Sequence, residues 1–428
     1  MIYLTVTNIG AADTTGTVTV TDVLPPGITA TDAGAQVGER RGPSHEPELW
    51  DCTGTTVVIC KNNPVNLPSL TGGAGGPKYR KNEIHQQTDP RIAIAVKVAA
   101  GSSGTMPNQV TVTGGDAPAP ASTTEPIIVS ETPAPFGVSG FDVWFSNSDG
   151  TIDTQAGSHP YAATFVLGFN QKGAVKHEGE EYNVESIRAS EQVRNVEVEL
   201  PPGLVGNPSA VPQCPRELFE NDQYRSCPAN TQIGVVTTNF GVNSEPTEPV
   251  FNIAPPPGKP AEFGFTILGN PAYLDSIVRT GTDDGITTDA FNVPQRNIQN
   301  SIVTLWSNPG DPSHAPWSGA FFGCHSAECI EHLSESKPLL TLPTACAGPQ
   351  RFTVRMHPWF NESVTSEASV LSHDSTGNPV GYTGCGHLAF SPSITTAPDT
   401  SRADTPAGLT VEVKPPVAGL LSNEGLGS

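Results

Sequence analysis

The sequence predicts an all-β chain of β-sandwich domains in tandem, their loops stapled by disulfides. Three observations predict it. Apolar and polar residues alternate with a period of two in short runs, and the apolar members are largely β-branched. The runs stop at proline and glycine, which number 42 and 43 in 428 residues. Eight cysteines fall into neighbouring pairs. A strand turns successive side chains to opposite faces, so period two marks one buried and one solvated face. Branching at Cβ fits that pleated surface.

Residues 1–130 are the first expected domain. Leu4 and Val6 alternate with Tyr3, Thr5 and Thr7, and Val18 and Val20 with Thr17, Thr19 and Thr21. Ile92, Ile94, Val96 and Val98 recur at every second position, as do Val110 and Val112. Leu24-Pro25-Pro26-Gly27 breaks the pattern, because proline removes ladder donors and glycine admits a positive φ. Cys52 and Cys60 flank Gly54-Thr55-Thr56 as in a bridged hairpin. Residues 71–90 read as a glycine-rich polar loop. Ile127–Val129 is the last strand, and 131–140 is a stiff proline-rich linker.

Residues 141–309 are the second sandwich. There Val196, Val198 and Leu200 run into Pro201-Pro202-Gly203, Phe263, Phe265 and Ile267 form a strand, and Ile302–Trp306 forms another. Pro215–Asn221 has room for a turn or two of helix beside Cys214. Residues 310–418 are a third, β-rich domain with stapled loops, carrying the alternations Phe352, Val354, Met356 and Leu409, Val411, Val413. Residues 419–428 begin a further repeat. Two internal echoes support a tandem array. Leu-Pro-Pro-Gly follows an alternating strand at Leu24–Gly27 and again at Leu200–Gly203. At a constant offset of 246, Asp153, Thr154, Pro160 and Thr164 meet Asp399, Thr400, Pro406 and Thr410.

The formal net charge is −21 and only 15% of residues are charged, which leaves no basic footprint for nucleic acid. The longest apolar stretches, such as Ile92–Ala100 with Lys97 inside it, fall short of the about 20 residues of a transmembrane segment. Glycine has no three-residue period, which excludes collagen. Met1–Thr7 reads as a strand in progress rather than an export signal. The chain is therefore expected to be an internal piece of a longer extracellular or cell-surface protein whose signal lies upstream.

The pairs Cys52 and Cys60, Cys214 and Cys227, Cys324 and Cys329, and Cys346 and Cys385 suit disulfides made in an oxidising compartment. Eight cysteines allow about 105 pairings. Sequential pairing is expected because it keeps every bridge within one domain, where each stabilises by about 2–4 kcal/mol.

Cys324, His325, Cys329 and His332 have the residue types of a zinc site. Their spacing does not match the usual close cysteine pair with distant partners, and a Cys324–Cys329 disulfide is expected instead. Asn147, Asp149 and Asp153, and Asp283, Asp284 and Asp289, are oxygen-rich groups in expected loops. Neither matches an EF-hand, so turn formation is the expectation and calcium at domain junctions the alternative. No G-x-S-x-G, H-E-x-x-H, phosphate loop or G-x-G-x-x-G occurs. No catalytic residue, cofactor or resident metal is expected. Lys97 takes the outward parity of its strand, against a buried crosslink. The five tryptophans are expected in the core or at interfaces. The alternative is a sugar-stacking platform, for which Trp317, in the expected loop Ala315-Pro316-Trp317-Ser318, is the best candidate for exposure.

Tyr3–Gly10, Asp22–Ile28, Trp50-Asp51-Cys52 with Cys60, and Asn108–Val112 follow one another in an order that resembles the conserved repeat domain of bacterial surface proteins, domain of unknown function eleven. The resemblance covers residues 2–129. It implies an immunoglobulin-like sandwich, secreted, in tandem on the cell envelope, with no enzymatic activity. This copy has no residues before the first motif and a long loop at 71–90. Gln155–Tyr161, Leu339–Cys346 and Thr383-Gly384-Cys385 make residues 140–428 similar to large repetitive surface proteins of soil actinobacteria. That resemblance implies surface localisation and supports a Cys346–Cys385 bridge.

The resulting expectation is a non-catalytic spacer segment whose partners are neighbouring domains of its parent protein. The alternative is an adhesin-type module that binds a cell-envelope, host or matrix glycan or protein through loops at 71–90 and 307–345.

Overall fold

The computed structural model describes residues 2–4, 6–31, 50–64, 70, 79–80, 87–88, 92–94, 96–99, 101–130, 132, 134–178, 181–221, 227–240, 247–317, 334–388 and 393–414. Cys324, His325, Cys329, His332, most of loop 71–90 and all of 419–428 lie outside them. Among the described residues strand takes 49% and helix 6%, so the fold is all-β as the alternation predicts.

The N-terminal body is a sandwich. One layer is a five-stranded antiparallel sheet in the order Ala121–Val129, Gly104–Gly114, Val18–Val23, Val57–Asn62, Trp50–Thr53. Packed on it are two short pairs, Ile2–Leu4 with Ile92–Ile94 and Ile28–Ala30 with Val96–Val98. The inward parity residues Val18, Val20, Ile92 and Ile94 meet Trp50 and the Cys52–Cys60 bridge in one core. Lys97 is exposed, as expected, but Val98 of the opposite parity is 41% exposed as well, so the alternation ceases to mark a buried face at this end of the strand.

Both Leu-Pro-Pro-Gly motifs make the same turn. Ile28 N donates to Pro25 O at 3.1 Å and Leu204 N to Pro201 O at 3.3 Å. Gly27 and Gly203 hold φ of 86° and 84°. Proline at the second position and a positive φ at the third define a type II turn.

Eleven further strands form one antiparallel sheet. In chain order they are β1 (Val138–Ser146), β2 (Ala162–Phe169), β3 (Val193–Glu199), β4 (Gln232–Asn239), β5 (Glu248–Ile253), β6 (Ala261–Ile267), β7 (Asn270–Val278), β8 (Ile286–Ala290), β9 (Asn300–Trp306), β10 (Arg351–Pro358) and β11 (Ser366–Leu371). Their order in the sheet is β1-β2-β9-β4-β5-β6-β7-β8-β3-β10-β11. The two terminal strands come together and curl the sheet into a near-barrel. Val138 N donates to Ser366 Oγ at 3.1 Å, and Asp142 Oδ1 of β1 meets Nε2 of His373, just past β11, at 2.7 Å.

The expected boundary at 309/310 does not coincide with a break in this sheet. β10 pairs with β3, and its inward Val354 and Met356 share a core with Val193, Phe265 and Ile267. The reason is non-local: the apolar rows of Val196, Val198 and Val354, Met356 are parts of one inner layer. The end of the expected linker, from Val138 to Gly140, already belongs to β1.

Ser393–Pro398 and Leu409–Lys414 form a separate hairpin with every residue exposed. The offset-246 echo aligns its second strand with β2, which is likewise the second strand of a hairpin. The N-terminal sandwich bonds the barrel through Ala11 N to Ser148 O (2.8 Å) and Ser122 N to Ser375 O (3.2 Å).

Gly234 of β4 abuts β9 so closely that a Cβ would land on the Thr304 carbonyl oxygen. Gly234→Ala is therefore expected to destabilise by about 2 kcal/mol or more. Chemical denaturation checks it; an unchanged midpoint would contradict the packing of β4 on β9.

Candidate functional site

Three expected disulfides form: Cys52–Cys60, Cys214–Cys227 and Cys346–Cys385, with Cα–Cα distances of 4.0, 5.5 and 6.0 Å. The second anchors a short helix, α1 (Arg216–Asn221), against the outer face of β5 and β6. A Cβ on Gly264 would lie 2.8 Å from Ile253 Cγ1 and 3.0 Å from the Phe219 ring, too close for either buried side chain, so glycine fits there.

The oxygen-rich residues do not gather into common sites. Asp149 Oδ1 accepts from Thr151 N (2.9 Å) and Oγ1 (2.6 Å), and hydrogen bonds from Thr151 hold its pKa low. Asp153 accepts from Gln155 N and Ser158 Oγ, and Asn147 Nδ2 donates to Thr151 Oγ1. The bonds from Thr151 N to Asp149 and from Gln155 N to Asp153 are those of Asx turns. Asp283 is clasped by Arg279, Nε to Oδ1 at 2.9 Å and Nη2 to Oδ2 at 2.8 Å, which lowers its pKa to about 2. Asp284 holds a left-handed φ of 52° in the same turn. Asp289 is not in a loop but inside β8. Among the described residues, no three His, Cys, Asp or Glu side chains group to hold a metal.

Trp317, the candidate for exposure, is a correction: it is 5% exposed and packs with Val235 and Trp306. Its carbonyl accepts from Gln232 Nε2 at 2.8 Å, which draws the 312–317 segment onto β4. Exposed aromatic surface lies elsewhere. Around Arg194, whose guanidinium stacks on Trp359 at 5.0 Å and pairs with Glu362, Phe360 is 74% and Phe291 53% exposed. Neither phenylalanine stands out in the sequence, because the segments meet only through β3 and β10.

The barrel's outer face carries a row of charged residues in direct register across six strands: Glu262, Asp275, Asp289, Glu197, Arg355 and Glu367. Arg216 of α1 reaches Glu262 at 3.2 Å and Lys259 reaches Asp275 at 2.7 Å. Arg355 binds Glu199 at 2.5 Å, Glu367 at 2.7 Å and Glu197 at 2.9 Å, and these bonds, that to Glu199 first, raise its pKa further. Asp289 is left between Asp275 and Glu197. It is 4% exposed, Oδ1 has no hydrogen-bond partner, and burial followed by Glu197 raises its pKa to about 6. Burial raises the pKa of Glu262 as well. Each strand's alternation shows its outward residue; the lateral row is a property of register alone.

The inner face encloses a cavity of about 190 Å³. Its walls include Phe165, Leu167, Val196, Phe263 and Leu274, which point inward yet are only half-buried.

No protein-family model matches the chain, and no curated protein matches it. Among solved structures, a chain described as the Enterococcus faecalis MSCRAMM ACE, which "binds its ligands by the collagen Hug Model", aligns at 10% identity over 85% of this chain and 84% of its own, with a TM-score of 0.20. A likeness of that size carries no inference about this chain's ligands.

Several groups give stability the same pH slope, Asp289 and His373 among them. Asp289 is raised from 3.8 to about 6, so it binds its proton more tightly when folded and costs stability as pH rises through that window. His373 is raised from 6.5 to about 9, chiefly by Asp142, so its contribution is full below 6.5 and lost as pH climbs through about 9. Thermal unfolding is expected at lower temperature near pH 9 than near pH 5. Asp289→Asn is expected to stabilise by about 1–2 kcal/mol at pH 8 and little at pH 3, below the carboxyl's ordinary value of 3.8. An equal effect at both would refute the buried-charge account.

Proposed function

We propose that the chain is a non-catalytic structural segment of an extracellular protein, a disulfide-stapled spacer holding β-modules in fixed succession. The observation that carries this reading is backbone bonding between modules, Ala11 N to Ser148 O and Ser122 N to Ser375 O. Paired cysteines fit an oxidising compartment. Among the described residues, no helix is long and apolar enough to cross a membrane. The conserved-repeat resemblance of residues 2–129 agrees with such a role on its motifs alone. His373 has acceptors at both ring nitrogens, Asp142 Oδ1 and Asp374 O, each at 2.7 Å. Both nitrogens must carry protons, so the ring serves as a structural cation rather than a general base.

A second reading is the binding module, favoured by the exposed Phe291 and Phe360 around Arg194 and Trp359. Aromatic surface at one end of a barrel suits a glycan or a protein.

Calorimetry and binding assays separate the readings. The spacer predicts that the two bodies melt in one transition, and that Ala11→Pro, which removes the donor to Ser148, splits it into two. It also predicts no turnover of glycoside, ester or peptide substrates and a blank glycan array. Independent melting in the unaltered chain would sink the spacer, and glycan retention abolished by Phe360→Ala would replace it with the binding module.

A further inference from the structure

We infer that the barrel interior is a binding site for a small, uncharged, apolar molecule bearing one oxygen function. Strand number is the first reason. Eight strands enclose a space that side chains just fill or that holds one small ligand, and diameter grows with each added strand. Eleven strands run round this near-barrel, and the cavity of about 190 Å³ is what its side chains leave open.

The lining sets the ligand's chemistry. It contains no charged side chain. Phenylalanines from β1, β2 and β6 dominate it, among them Phe141, Phe165 and Phe263, and these remain only half-buried although they face inward. They therefore present apolar surface with nothing packed on it. An engineered apolar cavity of about 150 Å³ stays dry and binds benzene, so this one takes a molecule of roughly six to eight heavy atoms.

Four hydroxyls interrupt the apolar wall, and register places them in two pairs. Thr238 of β4 lies beside Ser301 of β9, and Ser276 of β7 beside Thr288 of β8. These hydroxyls donate to and accept from no other side chain or carbonyl among the described residues, so they offer an alcohol or carbonyl oxygen its hydrogen bond. The cavity reaches the end of the barrel marked by Leu200, Pro260, Val278 and Ile286. That end is the entry the structure offers, braced where Arg279 Nη2 donates to Leu200 O and Nη1 to Ile286 O, both at 2.7 Å.

The test is calorimetric titration of the whole chain with phenol, 1-hexanol, toluene and benzoate, paired with thermal unfolding. Phenol tests a ring, 1-hexanol a chain, toluene the loss of the oxygen and benzoate the exclusion of charge. The expected result is saturable binding of phenol or 1-hexanol with a raised melting temperature. Toluene is expected to bind several-fold more weakly and benzoate at least tenfold more weakly. Val303→Trp, which fills the cavity from β9, is expected to abolish binding, with Ser301→Leu as the milder filling variant should the first fail to fold. The inference is overturned if neither phenol nor 1-hexanol binds the unaltered chain, if a folded filling variant binds as well, or if benzoate or toluene binds as tightly as phenol. None of these outcomes depends on the spacer reading.

Discussion

A sheet of eleven strands has two edges, and the barrel built from it depends on where those edges meet. An open edge presents unpaired donors and acceptors and invites pairing with another chain. Here β1 and β11 are brought together by side chains rather than by a ladder. Ser366 Oγ accepts the Val138 amide, and the Asp142 carboxylate holds the His373 ring. His373 in turn donates to the carbonyl of Asp374, whose carboxylate organises its own turn through Thr376 and Asn378. The seam is thus a short charge-assisted chain of bonds, stronger than neutral ones and sensitive to the protonation of one imidazole.

Closing the sheet gives its faces different roles. Inward rows must fill a space wider than their side chains can, and the cavity results. Outward rows are forced into long lateral register, and five carboxylates share one row with a single arginine. Cations in that row, Arg216 with Lys259 on one side and Arg355 on the other, pair with its other carboxylates, and Asp289 between them has Lys259 only at a distance. Cys214–Cys227 enters this balance by holding α1, and hence Arg216, over Glu262. The staple, the helix and the charge row are one unit.

Local features were legible in the sequence. Alternation located the strands around Val20, Ile94, Val198, Phe263 and Val354, and each turned the predicted face inward. Leu-Pro-Pro-Gly announced two identical type II turns, and neighbour pairing identified the three bridges. Lateral relations were not legible. Nothing in Phe352, Val354 and Met356 says that they extend the layer begun by Val196 and Val198 across more than 150 positions, so one sheet reads as two domains. Asp289 reads as a loop aspartate because it follows Asp283 and Asp284, although the strand resumes at Ile286. Trp317 sits among prolines and reads as the candidate for exposure, while the surface that buries it comes from β4 and β9. In each case the missing information is which strands become neighbours, and period two carries none of it.

The seam is the central claim, and a double-mutant cycle on Asp142→Asn and His373→Gln tests it most directly. Unfolding free energies of the unaltered chain, both single variants and the double variant would be measured by denaturant titration near pH 7. The closed barrel predicts that the two substitutions are strongly non-additive, with a coupling of about 1–3 kcal/mol. Additive effects would mean that the first and last strands do not depend on each other, and would contradict the closure from which the cavity and the charge row follow.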